Sequence, residues 1–308
     1  MTAKAGLKVG VAGAGRVGSV DIENVIETAS LELVAVCTVV QSEIDWEFEE
    51  FISAVLNLVI ICTPIKFHKE HVRRSRPEAP KTAWEIYDIA LQYPTQKVAR
   101  GFPRRFAGVF QETAARVTSG DIGKVMSVRS QSVNPGSGFS QTTSRIRDSG
   151  GIFVDMTIHD IDVCLYLIGG DETPVTAYAT GTANMFPQFA EFDDVDDAFG
   201  LVTLESGKVM TLYGNRDSMQ GHHASAEVAG TKDRITANGS PRLLACSSPI
   251  GRARRCWERS RIWTCSRRHC KEIQDKRDWV LYEKEAAFNL KDSAEAVSIA
   301  SALMDSLH

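Results

Sequence analysis

The spacing of apolar residues changes character several times along the chain. Leu7 to Ala12 is a short β-branched run with the pattern of a strand, Arg16 to Thr28 spaces its apolar residues as a helix, and Leu31 to Cys37 predicts a second strand. Glu43 to Leu56 then predicts a helix, and Asn57 to Cys62 (NLVIIC) a strand buried on both faces. Short apolar runs alternating with longer amphipathic ones are the signature of βαβ units around a parallel sheet. Pro77 to Pro80 has no period, because prolines so close together disfavour both helix and central strand. Thr82 to Leu91 predicts a further helix and Lys97 to Phe102 a further strand.

Beyond that point the pattern is different. Phe106 to Thr118 predicts a helix, closed by the turn Ser119-Gly120-Asp121-Ile122-Gly123, and Val125 to Val133 alternates at period two. A helix follows over Ile152 to Ile168. Val175 to Ala183, Ala198 to Leu204, Lys208 to Asn215 and Ser225 to Ala237 then read as successive strands separated by turn residues. Ser240 to Arg268 is rich in arginine and serine without a period and predicts an irregular stretch. Leu290 to His308 predicts a closing helix with Asp292 as its cap. The fold expected is an α/β Rossmann domain over residues 1–102, then an α+β domain over 103–308 with a largely antiparallel open sheet. A length of 308 residues supports two separate cores.

Composition narrows the partners. With 43% hydrophobic and 24% charged residues the chain is of ordinary globular type. A net charge of -4 gives no general attraction to nucleic acid or anionic membrane. No run approaches the roughly 18 apolar residues of a membrane helix, and the N-terminus shows no h-region with a cleavage site. The expectation is a cytoplasmic protein with a small-molecule ligand, and no nucleic-acid or membrane partner. Of seven cysteines, Cys37, Cys62 and Cys164 lie in apolar segments, as reduced core residues do. Cys256, Cys265, His269 and Cys270 lack the paired C-x2-C spacing of a zinc site, so no metal is expected. Asp193, Asp194, Asp196 and Asp197 lack the spacing of a calcium loop and predict a solvated turn.

Three segments carry chemistry. Gly13-Ala14-Gly15-Arg16-Val17-Gly18 is a GxGxxG loop that follows a predicted strand and opens a predicted helix, the context in which backbone N–H groups hold a pyrophosphate. The alternative is a glycine-rich turn with no ligand. Where such loops have a ribose-binding acid about 20 positions on, this chain has Thr38, which leaves NAD and NADP both open as cofactor. Cys62-Thr63-Pro64-Ile65-Lys66-Phe67-His68 is a loop at the carboxyl edge of the predicted sheet, which makes Thr63, Pro64 and His68 candidate cofactor contacts. Asp155 and His159, four apart, share one face of a predicted helix. An imidazole there can take a proton from a carbinol oxygen while a carboxylate orients the hydroxyls. The other reading is a helix N-terminal acid beside a half-buried histidine.

Together with Gly101-Phe102-Pro103-Arg104-Arg105-Phe106 and with Gly150-Gly151-Ile152-Phe153-Val154-Asp155-Met156-Thr157-Ile158-His159-Asp160, these segments resemble the Gfo/Idh/MocA oxidoreductases, in particular their inositol 2-dehydrogenase-like members. The resemblance runs with gaps from Leu7 to Gly230 and returns from Asp278 to His308. It implies reversible hydride transfer between the nicotinamide of NAD or NADP and a sugar or cyclic polyol, and a homo-oligomer, dimer or tetramer, built on the open sheet. It further implies that Asp155 and His159 are catalytic. Arg216 and the pair His222 and His223 fall where members present an arginine and an aromatic near the substrate; a hairpin with solvated histidines is the alternative. Arg104 is the remaining candidate substrate contact. The family's Glu-Lys-Pro strand end, with its substrate-polarising lysine, has no counterpart: Arg73-Arg74-Ser75-Arg76-Pro77-Glu78-Ala79-Pro80 stands there, and Lys81 is the nearest ammonium in sequence. That loss motivates a rival reading, a catalytically silent relative that binds dinucleotide or sugar as a sensor or partner protein.

Overall fold

Three short β-branched runs form a parallel sheet in the computed structural model: β1 (Leu7–Ala12), β2 (Leu31–Cys37) and β3 (Leu58–Ile61), in the order β2-β1-β3. Helix α1 (Arg16–Glu27) connects the first two. The residues the structure describes are 6–37, 51, 56–63, 84, 87–88, 91, 97, 101–134, 146–147, 149–218, 222–238, 271–282 and 290–307. Residues 98–100 of the expected strand Lys97 to Phe102, most of the helices Glu43 to Leu56 and Thr82 to Leu91, the run from Arg73 to Lys81 and the stretch Ser240 to Arg268 lie outside them.

The chain divides into two compact units, Met1–Pro103 with Arg261–Asn289, and Arg104–Ser260 with Leu290–His308. In the first, apolar residues are buried on both faces of the sheet around its central strand β1, while Val34 and Val36 of the edge strand β2 stay exposed. Val9, Val11, Val25 and Ile60 form one core, and Ile273, from helical residues 271–282, inserts into it. Ala12, Cys37 and Phe51 form the other. A helix that lies so far along the chain carries no local mark of the core it joins.

The second unit is built on a six-stranded sheet in the order β5-β6-β7-β4-β8-β9. Its strands are β4 (Val125–Val133), β5 (Pro174–Thr182), β6 (Asp197–Leu204), β7 (Val209–Asn215), β8 (His223–Gly230) and β9 (Arg234–Ala237). Only β4 and β7 pair in parallel; every other neighbour is antiparallel. The single strand expected over Ser225 to Ala237 is therefore a hairpin. Thr231, Lys232 and Asp233 turn the chain, with Gly230 N–H bonded to the Asp233 carbonyl at 2.9 Å. The period-two pattern runs on through this turn, which hides it from a periodicity reading.

One sheet face is apolar and buried, through residues such as Val128, Val202, Met210, Leu212 and Val228. Helices α2 (Gly108–Thr118), α3 (Ile158–Ile168) and α4 (Leu290–Asp305) cover it: α3 lies on β4 and α4, and α2 on α3 and β9. The helix expected over Ile152 to Ile168 is not uniform, because Phe153–Thr157 forms a π-helical turn before α3. Short 3-10 turns at Pro103–Phe106 and Pro187–Phe192 were not signalled by any period. Among the described residues no helix is long and apolar enough to cross a membrane.

Charges hold these layers in register. Arg104 Nη1 donates to Asp160 Oδ1 at 2.7 Å and its Nη2 to Ser132 Oγ at 2.6 Å, while Ser130 Oγ also donates to Asp160. Arg105 donates through Nε and Nη2 to Asp162, at 2.9 and 2.7 Å, and through Nη1 to Asp292 at 3.0 Å. Asp292, expected as the cap of the last helix, thus sits in its first turn and faces Arg105. Asp160 and Asp162 are fully buried. Burial pushes the Asp162 carboxyl up to about 6, against the pull of Arg105.

Removing one partner of a buried pair leaves an uncompensated charge, at a cost of about 3–5 kcal/mol. Arg105→Met is expected to lower unfolding stability by about that amount at neutral pH. Without Arg105, Asp162 titrates still further above its ordinary 3.8. The native state then binds more protons than the unfolded chain, so stability is lost as pH rises through the folded value and regained as pH falls. Urea melts at pH 7 and pH 5 check this: the deficit should narrow at pH 5.

Candidate active site

The glycine loop crosses the carboxyl ends of all three strands of the first unit. Gly13 N–H bonds to the Cys37 carbonyl and Cys62 N–H to the Ala12 carbonyl, both at 2.7 Å. Gly13 has φ +99, and a Cβ there would lie 2.8 Å from the Cys62 carbonyl carbon. At Gly18 a Cβ would fall 1.7 Å from the Gly13 oxygen, so helix and loop touch through a position only glycine can fill. Gly15 is different: a Cβ there would meet nothing within 4 Å. The loop is tight on its sheet side and open on the side where the first turn of α1 presents N–H groups unbonded within the helix. That geometry fits a pyrophosphate.

Thr63, buried, directly follows Cys62 at this edge, and Val17 is exposed beside the loop. Thr38, Pro64 and His68, and the side chain of Arg16, lie outside the described residues. Cys62 Sγ donates to Asp21 Oδ2 at 3.1 Å, and burial, aided by Asp21, pushes its thiol far up, which makes it a core group and no nucleophile at neutral pH.

In the second unit a polar cluster forms where the parallel strands β4 and β7 end side by side, Val133 opposite Asn215. The next residues, Asn134 and Arg216, turn into it. Arg216 is fully buried; its Nη1 donates to Asp155 Oδ2 and its Nη2 to Asp194 Oδ2, each at 2.9 Å. Asn134 Nδ2 donates to Met156 Sδ at 3.1 Å, and its Oδ1 accepts from His222 Nδ1 at 2.8 Å, which fixes that ring nitrogen as the protonated one. Asp155, Arg216 and His222 are thereby linked through the π-helical turn and one sheet edge. His159 stands four residues after Asp155, half-buried, with its Nδ1 out of solvent. π-helical turns recur at functional sites, where the extra residue displaces a side chain from its α-helical position.

Two candidates are placed elsewhere. Arg104 is turned inward to Asp160 and Ser132. His223 bonds to Gln131 and to the Asn238 carbonyl. The acidic run is not the solvated turn its sequence suggested. Asp194 is 3% and Asp196 4% exposed. Asp196 takes the N–H groups of Met185 and Phe186, Asp197 takes the Tyr213 hydroxyl, and Asp194 takes Arg216. Their donors lie 10 to 22 residues away, in other elements of the same unit, which the spacing of the acidic run alone cannot show. Sequence reasoning missed Asp194 and Asn134 for that reason.

Residues 110–236, which carry this cluster, match the family described as the GFO/IDH/MocA C-terminal domain. Over 259 residues the chain is 28% identical to the uncharacterized oxidoreductase YrbE of Bacillus subtilis, which spans 75% of this chain and 73% of that protein. Over 261 residues it is 28% identical to the myo-inositol 2-dehydrogenase of Thermotoga maritima, 75% of each chain. The crystal structure of scyllo-inositol dehydrogenase from Lactobacillus casei with bound cofactor NAD(H) and scyllo-inositol superposes with a TM-score of 0.79 at 21% identity, over 98% of this chain and 97% of that one. This likeness shows the fold: a Rossmann-like unit on a parallel sheet and a second unit on a mixed, largely antiparallel sheet. The resemblance read from the motifs is borne out.

The glycine loop predicts a contrast. Gly18→Ala forces a methyl into the Gly13 carbonyl and is expected to lower stability by about 1–3 kcal/mol. Gly15→Ala meets open space and an extended backbone, and should melt within about 0.5 kcal/mol of the parent protein. Paired urea melts decide it; equal losses would contradict the reading of the loop.

Proposed function

We propose that the protein is an NAD(P)-dependent oxidoreductase that moves a hydride between the nicotinamide and the carbinol carbon of a sugar or inositol-like polyol. The observation that carries this is the Asp155 carboxylate, held by a buried arginine on a π-helical turn that leads into the helix bearing His159. The family match of residues 110–236 and the inositol dehydrogenases among the relatives support it. When bound, NAD or NADP supplies the acceptor for the hydride. Gly13, Gly15, Arg16, Val17 and Gly18 would hold its phosphates, and Thr38, Thr63, Pro64 and His68 would line its remaining length.

Asp155 accepts a hydrogen bond from one polyol hydroxyl and fixes the ring. His159, whose Nδ1 is turned inward, takes the proton of the reacting hydroxyl on Nε2 as the C–H bond gives up its hydride. The products are a carbonyl, the reduced nicotinamide and one proton on the imidazole. His222, steadied by Asn134, is placed to contact a further hydroxyl. Arg216 acts by holding Asp155. Purified protein should reduce NAD or NADP with some member of a polyol and sugar panel. His159→Ala should lower kcat by about 10²–10⁴-fold with cofactor affinity retained. Gly15→Val should weaken NADH binding about tenfold, or about 1.4 kcal/mol. Intact cofactor binding without any turnover would favour the silent, sensor-like alternative.

The reading extends to a cytoplasmic homo-oligomer assembled on the uncovered face of the second sheet. Tyr178, Phe199 and Leu201 are exposed there, and Phe199 stacks on Tyr213 with ring centroids 4.7 Å apart. Adjacent apolar side chains of this size suit a partner surface. Phe199→Lys with Leu201→Lys should reduce the molar mass seen by light scattering to that of one chain, without loss of the thermal transition.

A further inference from the structure

Asp194 lies outside every motif and is almost inaccessible, yet three groups converge on it. Its Oδ1 accepts the N–H of Ile152 at 2.8 Å and of Val195 at 2.9 Å. Its Oδ2 accepts Arg216 Nη2 at 2.9 Å, and the side chain is only 2% exposed. Ile152 is the residue from which the π-helical turn starts, directly after Gly150 and Gly151, which both have positive φ. Asp194 therefore grips both the backbone that launches Asp155 and the guanidinium that binds it.

The consequence for Asp155 is geometric. An arginine facing one carboxylate closes on it with two parallel N–H bonds and occupies the acceptor positions of both oxygens. Here the fork is divided. Asp194 takes one edge, so Arg216 gives Asp155 a single bond through Nη1 to Oδ2. The Asp155 side chain keeps 21% of its surface exposed.

We propose that Asp194 is a positioning residue for Asp155: by holding the second edge of Arg216 and the N–H of Ile152, it keeps the Asp155 carboxylate singly engaged and available to a polyol hydroxyl. The inference rests on the functional reading above. Asp194 does not touch the substrate itself.

The test compares Asp194→Asn, which keeps shape and one acceptor oxygen, with Asp194→Glu, which keeps the charge. Each is measured beside the parent protein for thermal melting, NADH affinity and polyol kinetics. The expected result for Asp194→Asn is a fall in kcat/KM of at least about tenfold, mostly through KM, with NADH affinity within about twofold. Asp194→Glu should recover part of that loss. A purely structural role would give the reverse order, because Asn preserves the cap and Glu crowds it. Asp194→Asn within about twofold of the parent in kcat/KM, or Asn better than Glu, overturns the proposal. If Asp194→Asn does not melt cooperatively, Arg216→Lys is read instead, since an ammonium cannot bridge two carboxylates as a planar fork does. The same loss in KM supports the proposal and parent-like kinetics overturn it. A parent protein that oxidises no polyol removes the functional reading and this inference together, whereas parent turnover with an indifferent Asp194→Asn removes this inference alone.

Discussion

The helical segment from Phe153 to Ile168 carries three carboxylates that no solvent fully reaches, and each is met by an arginine from a distant part of the chain. Asp155 meets Arg216, Asp160 meets Arg104, and Asp162 meets Arg105. A carboxylate buried without a partner costs several kcal/mol. The segment therefore has one acceptable depth and one acceptable rotation against the sheet. Arg104 and Arg105 are neighbours in sequence, but the 3-10 turn at Pro103–Phe106 sends them to different carboxylates. Two residues in a short turn thus fix where a long helix lies.

That constraint also positions the proposed site. With α3 pinned by Asp160 and Asp162 near its start, Asp155 just before it meets Arg216 at the edge where β4 and β7 end. The parallel pairing of those two strands, in an otherwise antiparallel sheet, brings Asn134 and Arg216 to the same edge. The candidate site residues Asp155, Asn134 and Arg216 thus rest on helical or strand ends and on buried partners, which holds them more closely than a loop would. A binding site made this way loses little entropy when a ligand arrives.

Much of this was written locally. The strand-loop-helix at Leu7 to Glu27 is legible because glycine spacing, β-branched residues and helical period all fall within twenty-odd residues, and the structure keeps each in place. The alternating strands of the second unit and the closing helix were legible for the same reason. Asp155 and His159 stood out as candidates through their spacing and their neighbours. Less visible were features whose cause lies far off in sequence. The turn splitting β8 from β9 continues the strand period, the π-helical turn has an α-helical sequence, and the acidic run from Asp193 to Asp197 looks like any solvated loop.

Sequence by itself determined the order of elements, the tight glycine crossing at Gly13 and Gly18, and the kind of chemistry an imidazole and a carboxylate can share. Periodicity, backbone stereochemistry and functional-group type are properties of neighbouring residues. Only the tertiary structure decided which charge meets which: that Arg104 is framework, that Arg216 is divided between Asp155 and Asp194, and that Ile273 returns to the first core. Those outcomes depend on the free energy of burying groups brought together from remote segments, a quantity no local stretch of sequence contains.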